Sequence, residues 1–179
     1  MQKFIVRLTE ENQNLIDSSE IECFVLDSET PAALNEKLAK QLQAKSKIVL
    51  SMGRSAVELC QSLSLDGVIV DMSQVQHPKA FIDDLHKQLG KDAIIGAITR
   101  NRRHEAMIIS EAEPDFLIFQ AWKDGQPQVA ELVKWYNELF LIQSAVLLRE
   151  DDVSFSDFEC DIVIISDKEY KFLLLKNKD

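Results

Sequence analysis

The sequence predicts an α/β fold, specifically a compact (β/α)8 barrel, and three observations support this prediction. Eight short apolar runs recur along the 179 residues, and most are separated by segments of helical period. The runs lack polar alternation, which is typical of parallel strands covered on both faces. Eight runs of similar length favour a closed barrel over an open sheet. The predicted strands are residues 4–8, 23–26, 48–50, 67–70, 93–98, 115–119, 145–148 and 161–165.

The segments between the runs supply the predicted helices. Thr30 before Pro31 predicts an N-cap followed by proline at the first helical position. Two connections are thin, because residues 9–21 have room only for a short helix and residues 149–160 show little helical period. We therefore expect shortened or missing helices between strands 1 and 2 and between strands 7 and 8. The predicted helices are residues 31–44, 54–62, 79–89, 103–113 and 127–140.

Length, charge and cysteine content narrow the class of protein. No linker or change of composition divides the chain, so residues 1–179 are predicted to form one domain. The formal charge is −10, and a net negative surface repels nucleic-acid phosphates and anionic lipid. No apolar stretch approaches the length of a membrane span, and the first residues lack a signal-peptide pattern. The three cysteines imply no disulfide framework, so we expect a cytoplasmic protein.

Several phrases in the middle of the chain resemble those of one enzyme family. They are DGVIV at 66–70, DAIIGAIT at 92–99, HEA at 104–106, PDFLIF at 114–119 and DIVIIS at 161–166. Their order and spacing are similar to those of thiamine phosphate synthase and its relative, the thiazole tautomerase. The resemblance covers residues 66–120 well and the remainder by strand count only. It implies the barrel fold, a diphosphate substrate and magnesium bound together with that substrate.

The loops that carry the family's catalytic and phosphate-binding residues differ in this chain. After the second strand, the family's cationic Gln-x-Arg-x-Lys set is replaced by VLDSE, which carries Asp27. After the third strand, the family's Asn-Asp-Arg is replaced by SMGR, which ends in Arg54 and contains no carboxylate. After the fourth strand, Asp71 is a carboxylate, but its position differs from the family spacing. Thr99 and Ser166 alone keep the family's residue type. We expect the synthase reaction to be lost, with no cofactor, and magnesium only if a phosphate ligand binds.

The residues that follow the strands define a candidate site. In a barrel of this kind they converge at the carboxyl-terminal end, where the active sites of the fold lie. Residues 99–104 (TRNRRH) also place three arginines at the start of a helix, which suits a carboxylate or phosphate. Two plainer interpretations stay open: a solvated polar rim, and a basic helix start paired with surface acids. The candidate ligand-binding residues are Arg54, Thr99, Arg100, Arg103, Gln120 and Ser166, and Thr9, Ser51, Trp122 and Arg149 also lie at this end.

Three functional hypotheses follow. In the first, the chain is a divergent, non-catalytic relative of the synthase that binds a small anionic ligand at this end. In the second, Asp27 and Asp71 are the acid and base of another reaction, because neighbouring carboxylates in a cleft can separate their pKa values. In the third, the thin connections expose barrel surface for a homodimer or another protein partner. The histidines show no metal-ligand spacing, so no metal site is predicted.

Overall fold

The computed structural model describes residues 1–150 and 153–166. Eight parallel strands close into a barrel in sequence order, each hydrogen-bonded to the next and β8 to β1. The predicted (β/α)8 barrel is therefore confirmed. The strands are β1 (Lys3–Leu8), β2 (Cys23–Asp27), β3 (Ile48–Met52), β4 (Gly67–Asp71), β5 (Ile94–Ile98), β6 (Phe116–Ala121), β7 (Gln143–Leu148) and β8 (Ile162–Ile165).

Helices cover the outside of the barrel at most crossovers. The β1–β2 connection holds only a 3₁₀ helix, Glu10–Asp17, and residues 153–161 of the β7–β8 connection form no helix. The expected thin crossovers are thus confirmed. No helix within residues 1–150 and 153–166 is long and apolar enough to cross a membrane. The helices are α1 (Ala32–Ala44), α2 (Ala56–Leu63), α3 (Pro78–Leu89), α4 (Arg103–Glu111) and α5 (Gln126–Leu139).

The predicted N-cap of α1 is wrong. The cap position belongs to Pro31, whose φ of −51° and ψ of 135° lie outside the helix, and no side chain caps this end. The carbonyl of Pro31 accepts hydrogen bonds from the N–H groups of Leu34 and Asn35. Because proline already occupies the cap, the helix starts one residue later than the sequence pattern predicts.

Successive residues of each strand alternate between the barrel lumen and the helical layer. In β2, Val25 packs in the lumen cluster, whereas Phe24 and Leu26 pack under the helices. Both faces are apolar, which explains why the sequence shows no polar alternation. The pairing register accumulates a shift of eight residues around the barrel, the shear typical of this fold. Alternate strands therefore contribute side chains at the same height. The central layer consists of Val25, Ile69, Ile118 and Ile164.

An acidic residue precedes each even-numbered strand at the amino-terminal end of the barrel, which we call the base. Three of these residues make the same contact with the preceding strand. The carboxylate of Asp66 accepts a hydrogen bond of 2.8 Å from the backbone N–H of Val49. Asp115 does the same with Ile95 at 2.7 Å. These contacts fix the entry of β4 and β6 against β3 and β5. The residues at this level are Glu22, Asp66, Asp115 and Asp161, the last bonded to the N–H of Ser144.

Candidate binding site at the barrel mouth

The register places four polar side chains in one layer at the carboxyl-terminal end, which we call the mouth. Each stands two residues beyond the central layer on an even-numbered strand, or just after its end. All four belong to the candidate residues predicted from the sequence. The layer below contains Met52, Ile98 and Leu147, which are buried, together with Arg7. The four residues of this mouth layer are Asp27, Asp71, Gln120 and Ser166.

Arg7 projects into the lumen from β1, because Ile5 on the same side of the strand packs in the lumen cluster. Its Nη2 donates to Oδ2 of Asp27 at 3.5 Å, and its side chain is 31 % exposed. The loop after β1 holds it in place, since buried Asn12 donates to the Arg7 carbonyl at 2.9 Å. Asn12 also accepts from the N–H of Thr9 at 2.6 Å, which completes a capping box.

Asp27 is held by the loop that leads into α1. Its Oδ1 accepts a hydrogen bond of 2.9 Å from the N–H of Glu29. Its backbone carbonyl accepts another, also of 2.9 Å, from the buried side chain of Asn35. With these contacts and Arg7 fixing it, the carboxylate faces the mouth in a defined orientation. This geometry suits a hydrogen-bond acceptor for a ligand.

Asp71 and Arg149 lie close enough to influence each other. Asp71 is exposed at the end of β4, and its Oδ1 accepts from the N–H of Ser73 at 2.9 Å. Partial burial lowers the pKa of Arg149 from its ordinary value, and the positive charge of Arg7 lowers it further. The carboxylate of Asp71 acts on this pKa in the opposite direction. The guanidinium groups of Arg7 and Arg149 and the carboxylates of Asp27 and Asp71 therefore lie close enough at the mouth for their charges to interact.

Gln120 is the centre of a hydrogen-bond network across β5, β6 and β7. Its side-chain oxygen accepts from Nε of Arg149 at 2.9 Å, and its Nε2 donates to the Thr99 carbonyl at 3.1 Å. Its backbone exchanges two bonds with the side chain of Asn101, of 2.7 and 2.9 Å. Asn101 has a φ of 60°, which asparagine tolerates better than most residues. Gln120 therefore positions Arg149.

Arg100, the first arginine of the basic segment after β5, is paired with Glu105. One carboxylate oxygen of Glu105 accepts from the backbone N–H of Arg100 at 2.9 Å, and the other from Arg100 Nε at 2.8 Å. The hydroxyl of Thr99 also donates to this carboxylate at 3.3 Å, and Thr99 is fully buried. The Thr99 side chain is thus a structural support beneath the mouth.

The other predicted residues lie apart from this group. Arg103 contacts Glu131 at 3.7 Å and lies 5.0 Å from the ring centre of Trp135, so it faces α5 on the outer surface. Arg54 is exposed in the turn between β3 and α2. Ser166, in contrast, belongs to the mouth layer and is half-buried just after β8. Of the eight predicted site residues, the layer brings together Asp27, Asp71, Gln120 and Ser166.

A cavity of about 220 Å³ opens beside Arg7 and Asp27. Val25 and Met52 form part of its apolar wall, and Thr30 adds a polar side chain. Pockets for drug-sized ligands usually exceed about 300 Å³. The space is therefore suited to a small ligand.

Within the part of the chain that the structure describes, no three histidine, cysteine, aspartate or glutamate side chains are grouped so as to hold a metal ion. Magnesium commonly combines one or two carboxylates with ligand phosphates. Asp27, which is already paired with Arg7, and Asp71 are the carboxylates of the mouth layer. Recruitment of magnesium by a phosphate ligand stays a prediction.

The fold and the mouth layer define a closed (β/α)8 barrel with a polar layer at the end where this class of fold carries its sites. No family model and no curated protein sequence matches the chain. Solved structures do. Thiamine phosphate pyrophosphorylase from Pyrococcus furiosus matches with a TM-score of 0.67 and 11% identity, over 92% of this chain and 85% of that one.

Two further structures have the same architecture. A mutant tryptophan synthase α-subunit from Pyrococcus furiosus matches with a TM-score of 0.68 and 14% identity, over 99% of this chain and 92% of that one. Phosphoenolpyruvate phosphomutase from Streptomyces platensis matches with a TM-score of 0.65 and 11% identity, over 99% of this chain and 80% of that one. At these identities the likeness establishes the fold alone. The fold implied by the sequence resemblance is confirmed.

Arg7 is absent from the sequence-based prediction of the site. Its signal is nevertheless present, since it is the one charged residue within the otherwise apolar run at residues 4–8. A strand covered on both faces has no exposed side for a guanidinium. A charged side chain there therefore points to the open end of the lumen.

Proposed function

We propose that this chain is a non-catalytic barrel that binds a small anionic ligand, a carboxylate or a phosphate, at its mouth. The observation that carries the proposal is the position of Arg7. A guanidinium directed into an apolar lumen loses hydration, and its one hydrogen-bond partner among residues 1–150 and 153–166, Asp27, lies at a long 3.5 Å. Arginine has five donors, so the described part of the chain leaves most of them open to a ligand.

Arg149, which follows β7, supports the same proposal. Burial is the main cause of the lowered pKa of Arg149, and repulsion from the like charge of Arg7 lowers that pKa further. An anion between them relieves this repulsion. Asp27 and Asp71 would then accept hydrogen bonds from hydroxyl or ammonium groups of the same ligand. The cavity of about 220 Å³ limits that ligand to a small molecule.

Loss of the synthase reaction is the second part of the proposal. The family's cationic set after its second strand is replaced here by a segment containing Asp27 and Glu29. Negative charge at this position repels a diphosphate. We expect no turnover of a pyrimidine diphosphate with thiazole phosphate by the purified protein, with or without magnesium. Measurable turnover would contradict this part.

The experiment for the binding proposal is a thermal-shift screen of inorganic phosphate and small carboxylates, followed by titration calorimetry. A ligand that binds the folded state raises the melting temperature by mass action. Arg7→Gln should weaken the affinity by about tenfold or more, because a charged hydrogen bond is lost. The matched control is Arg103→Gln, which removes the same charge on the outer surface and should leave the affinity unchanged. Equal losses in both variants, or no saturable ligand, would contradict the proposal.

One observation favours the alternative of an enzyme with a different reaction. Asp27 and Asp71 belong to the same layer on neighbouring even-numbered strands, so both carboxylates face one ligand. In this case a substrate found by the screen would be turned over, and Asp27→Asn and Asp71→Asn would each abolish turnover while retaining binding. If turnover in either variant kept the pH dependence of the unchanged protein, this alternative would be contradicted.

A further inference from the structure

The base of the barrel contains a second cavity, far larger than the one at the mouth. Its volume is about 560 Å³, within the range of small-molecule sites. Most of its floor is apolar and is formed by lumen-facing side chains of the strands. These include Ile5, Cys23, Leu50, Ile94, Phe116 and Ile162.

The chemistry of the floor excludes a charged group deep in the cavity. Burial raises the pKa of the half-buried Cys23 thiol to about 12, and the nearby carboxylate of Asp66 contributes to the rise. Cys23 is therefore a neutral, apolar part of the wall at neutral pH. An occupant must place apolar surface here, since an unpaired polar group would lose its hydration.

The rim of the cavity has a negative bias. Glu20, Glu22 and Asp115 line it, against Lys3 and the amino terminus at Met1. The carboxylate of Asp115 is fixed by its bond to Ile95, as those of Asp66 and Asp161 are by the equivalent bonds at the same level. The three carboxylates that line the apolar opening outnumber its two cationic groups and attract a cation on the end of an apolar ligand. The formal charge of −10 for the whole chain acts in the same direction.

We propose that the base cavity binds a small cationic amphiphile, with its apolar chain on the strand side chains and its ammonium group at the acidic rim. The position, size and charge of this site all differ from those of the anion site at the mouth. The proposal is therefore independent of the proposed function.

The test is titration calorimetry of the purified full chain with n-octylammonium, below its micelle concentration and at low ionic strength. We expect saturable binding that strengthens by about fourfold for each added methylene from butyl to octyl. Octanoate, which has the same chain and the opposite charge, should bind more weakly. Equal affinity for the two ions, independence of chain length, or no binding would overturn the proposal.

Two variants locate the site. Cys23→Phe adds volume inside the cavity and should abolish binding. Glu22→Gln changes only an exposed side chain and should weaken octylammonium binding by about two- to fivefold without affecting neutral octanol. Asp124→Asn, an exposed acid at the mouth end, is the matched control and should have no effect. Unchanged affinity in Glu22→Gln and Cys23→Phe, or a dimer whose dissociation is required for binding, would overturn the assignment. Arg7→Gln should leave octylammonium binding intact, which separates this result from that of the mouth site.

Discussion

The guanidinium of Arg149 donates two hydrogen bonds to the same side-chain oxygen of Gln120, of 2.9 Å from Nε and 2.5 Å from Nη2. This contact links β6 to the end of β7 and fixes one of the two arginines of the mouth. Gln120 is itself held by Thr99 and Asn101. Its proposed role is to position Arg149 for a ligand.

Gln120→Leu tests this role. The substitution removes the acceptor of Arg149, so we expect weaker anion binding and a loss of about 1–2 kcal/mol in the free energy of unfolding. Titration calorimetry and urea denaturation measure the two effects. Gln128→Leu, an exposed change on α5, is the control. Retained anion affinity in a destabilised Gln120→Leu variant would show that this contact is structural only.

The acidic residues at the base stabilise the barrel through the backbone. Asp115→Ala leaves the N–H of Ile95 without its side-chain acceptor, so we expect a loss of about 1–3 kcal/mol in the free energy of unfolding. Asp115→Asn, which keeps an acceptor oxygen, should recover part of it. Urea denaturation provides the comparison, with Asp124→Ala as a surface control. Equal unfolding free energies of Asp115→Ala and the unchanged protein would contradict a stabilising role for this contact.

Two lumen glycines should respond differently to an added methyl group. A Cβ on Gly67 would overlap the backbone carbonyl of Ile94, which cannot move without disturbing β5. A Cβ on Gly96 would lie 2.6 Å from ring atoms of Phe116, a side chain that can be shortened. We expect Gly67→Ala to cost about 3 kcal/mol or more. Adding Phe116→Leu should restore unfolding free energy to Gly96→Ala but not to Gly67→Ala. Double-mutant cycles, with stability measured by urea denaturation, provide the comparison.

The raised pKa of the Cys23 thiol predicts slow labelling of this residue and a pH dependence of the free energy of unfolding. With a folded-state pKa of about 12 against 9.0 for an ordinary thiol, its thiolate fraction at pH 8 is lowered roughly a thousandfold. Labelling by a disulfide reagent should be correspondingly slow in the native state and fast in urea. Mass spectrometry showing rapid native labelling at Cys23 would contradict this.

The same shift fixes the direction of the pH dependence. Because the folded-state pKa is raised, Cys23 contributes to stability below pH 9, and this contribution is lost as the pH rises toward 12. Between about pH 8 and 10.5, the unchanged protein should lose more unfolding free energy than Cys23→Ala. A steeper loss in the variant would reverse the sign and contradict the assignment.

The fold was largely accessible from the sequence because it depends on repeated local signals. Apolar runs such as residues 67–70 and 161–165 match β4 and β8 within one residue. The thin crossovers were accessible for the same reason, since residues 153–161 lack helical period. The cap of α1 was not, because Thr30 and Pro31 both suit a helix start and only the backbone geometry chooses between them.

The candidate site was accessible only in part. Strand ends identify Asp27, Asp71 and Gln120, because all parallel strands end at the same side of the barrel. Arg7 was missed, although its charge within the apolar run at residues 4–8 is a signal that it faces the open end of the lumen. The pairing of Arg103 with Trp135 depends on how α4 packs against α5, which the spacing of residues does not reveal. The anion-binding role of Arg54, Arg100 and Arg103 stays a prediction.

The most direct test of the mouth site is NMR observation of the arginine side-chain Nε–H signals during titration with the best ligand from the anion screen. We expect the signals of Arg7 and Arg149 to shift together and give one dissociation constant, while that of Arg103 stays unchanged. Saturable shifts at Arg100 and Arg103 without shifts at Arg7 and Arg149 would contradict this expectation and return the anion site to the start of α4.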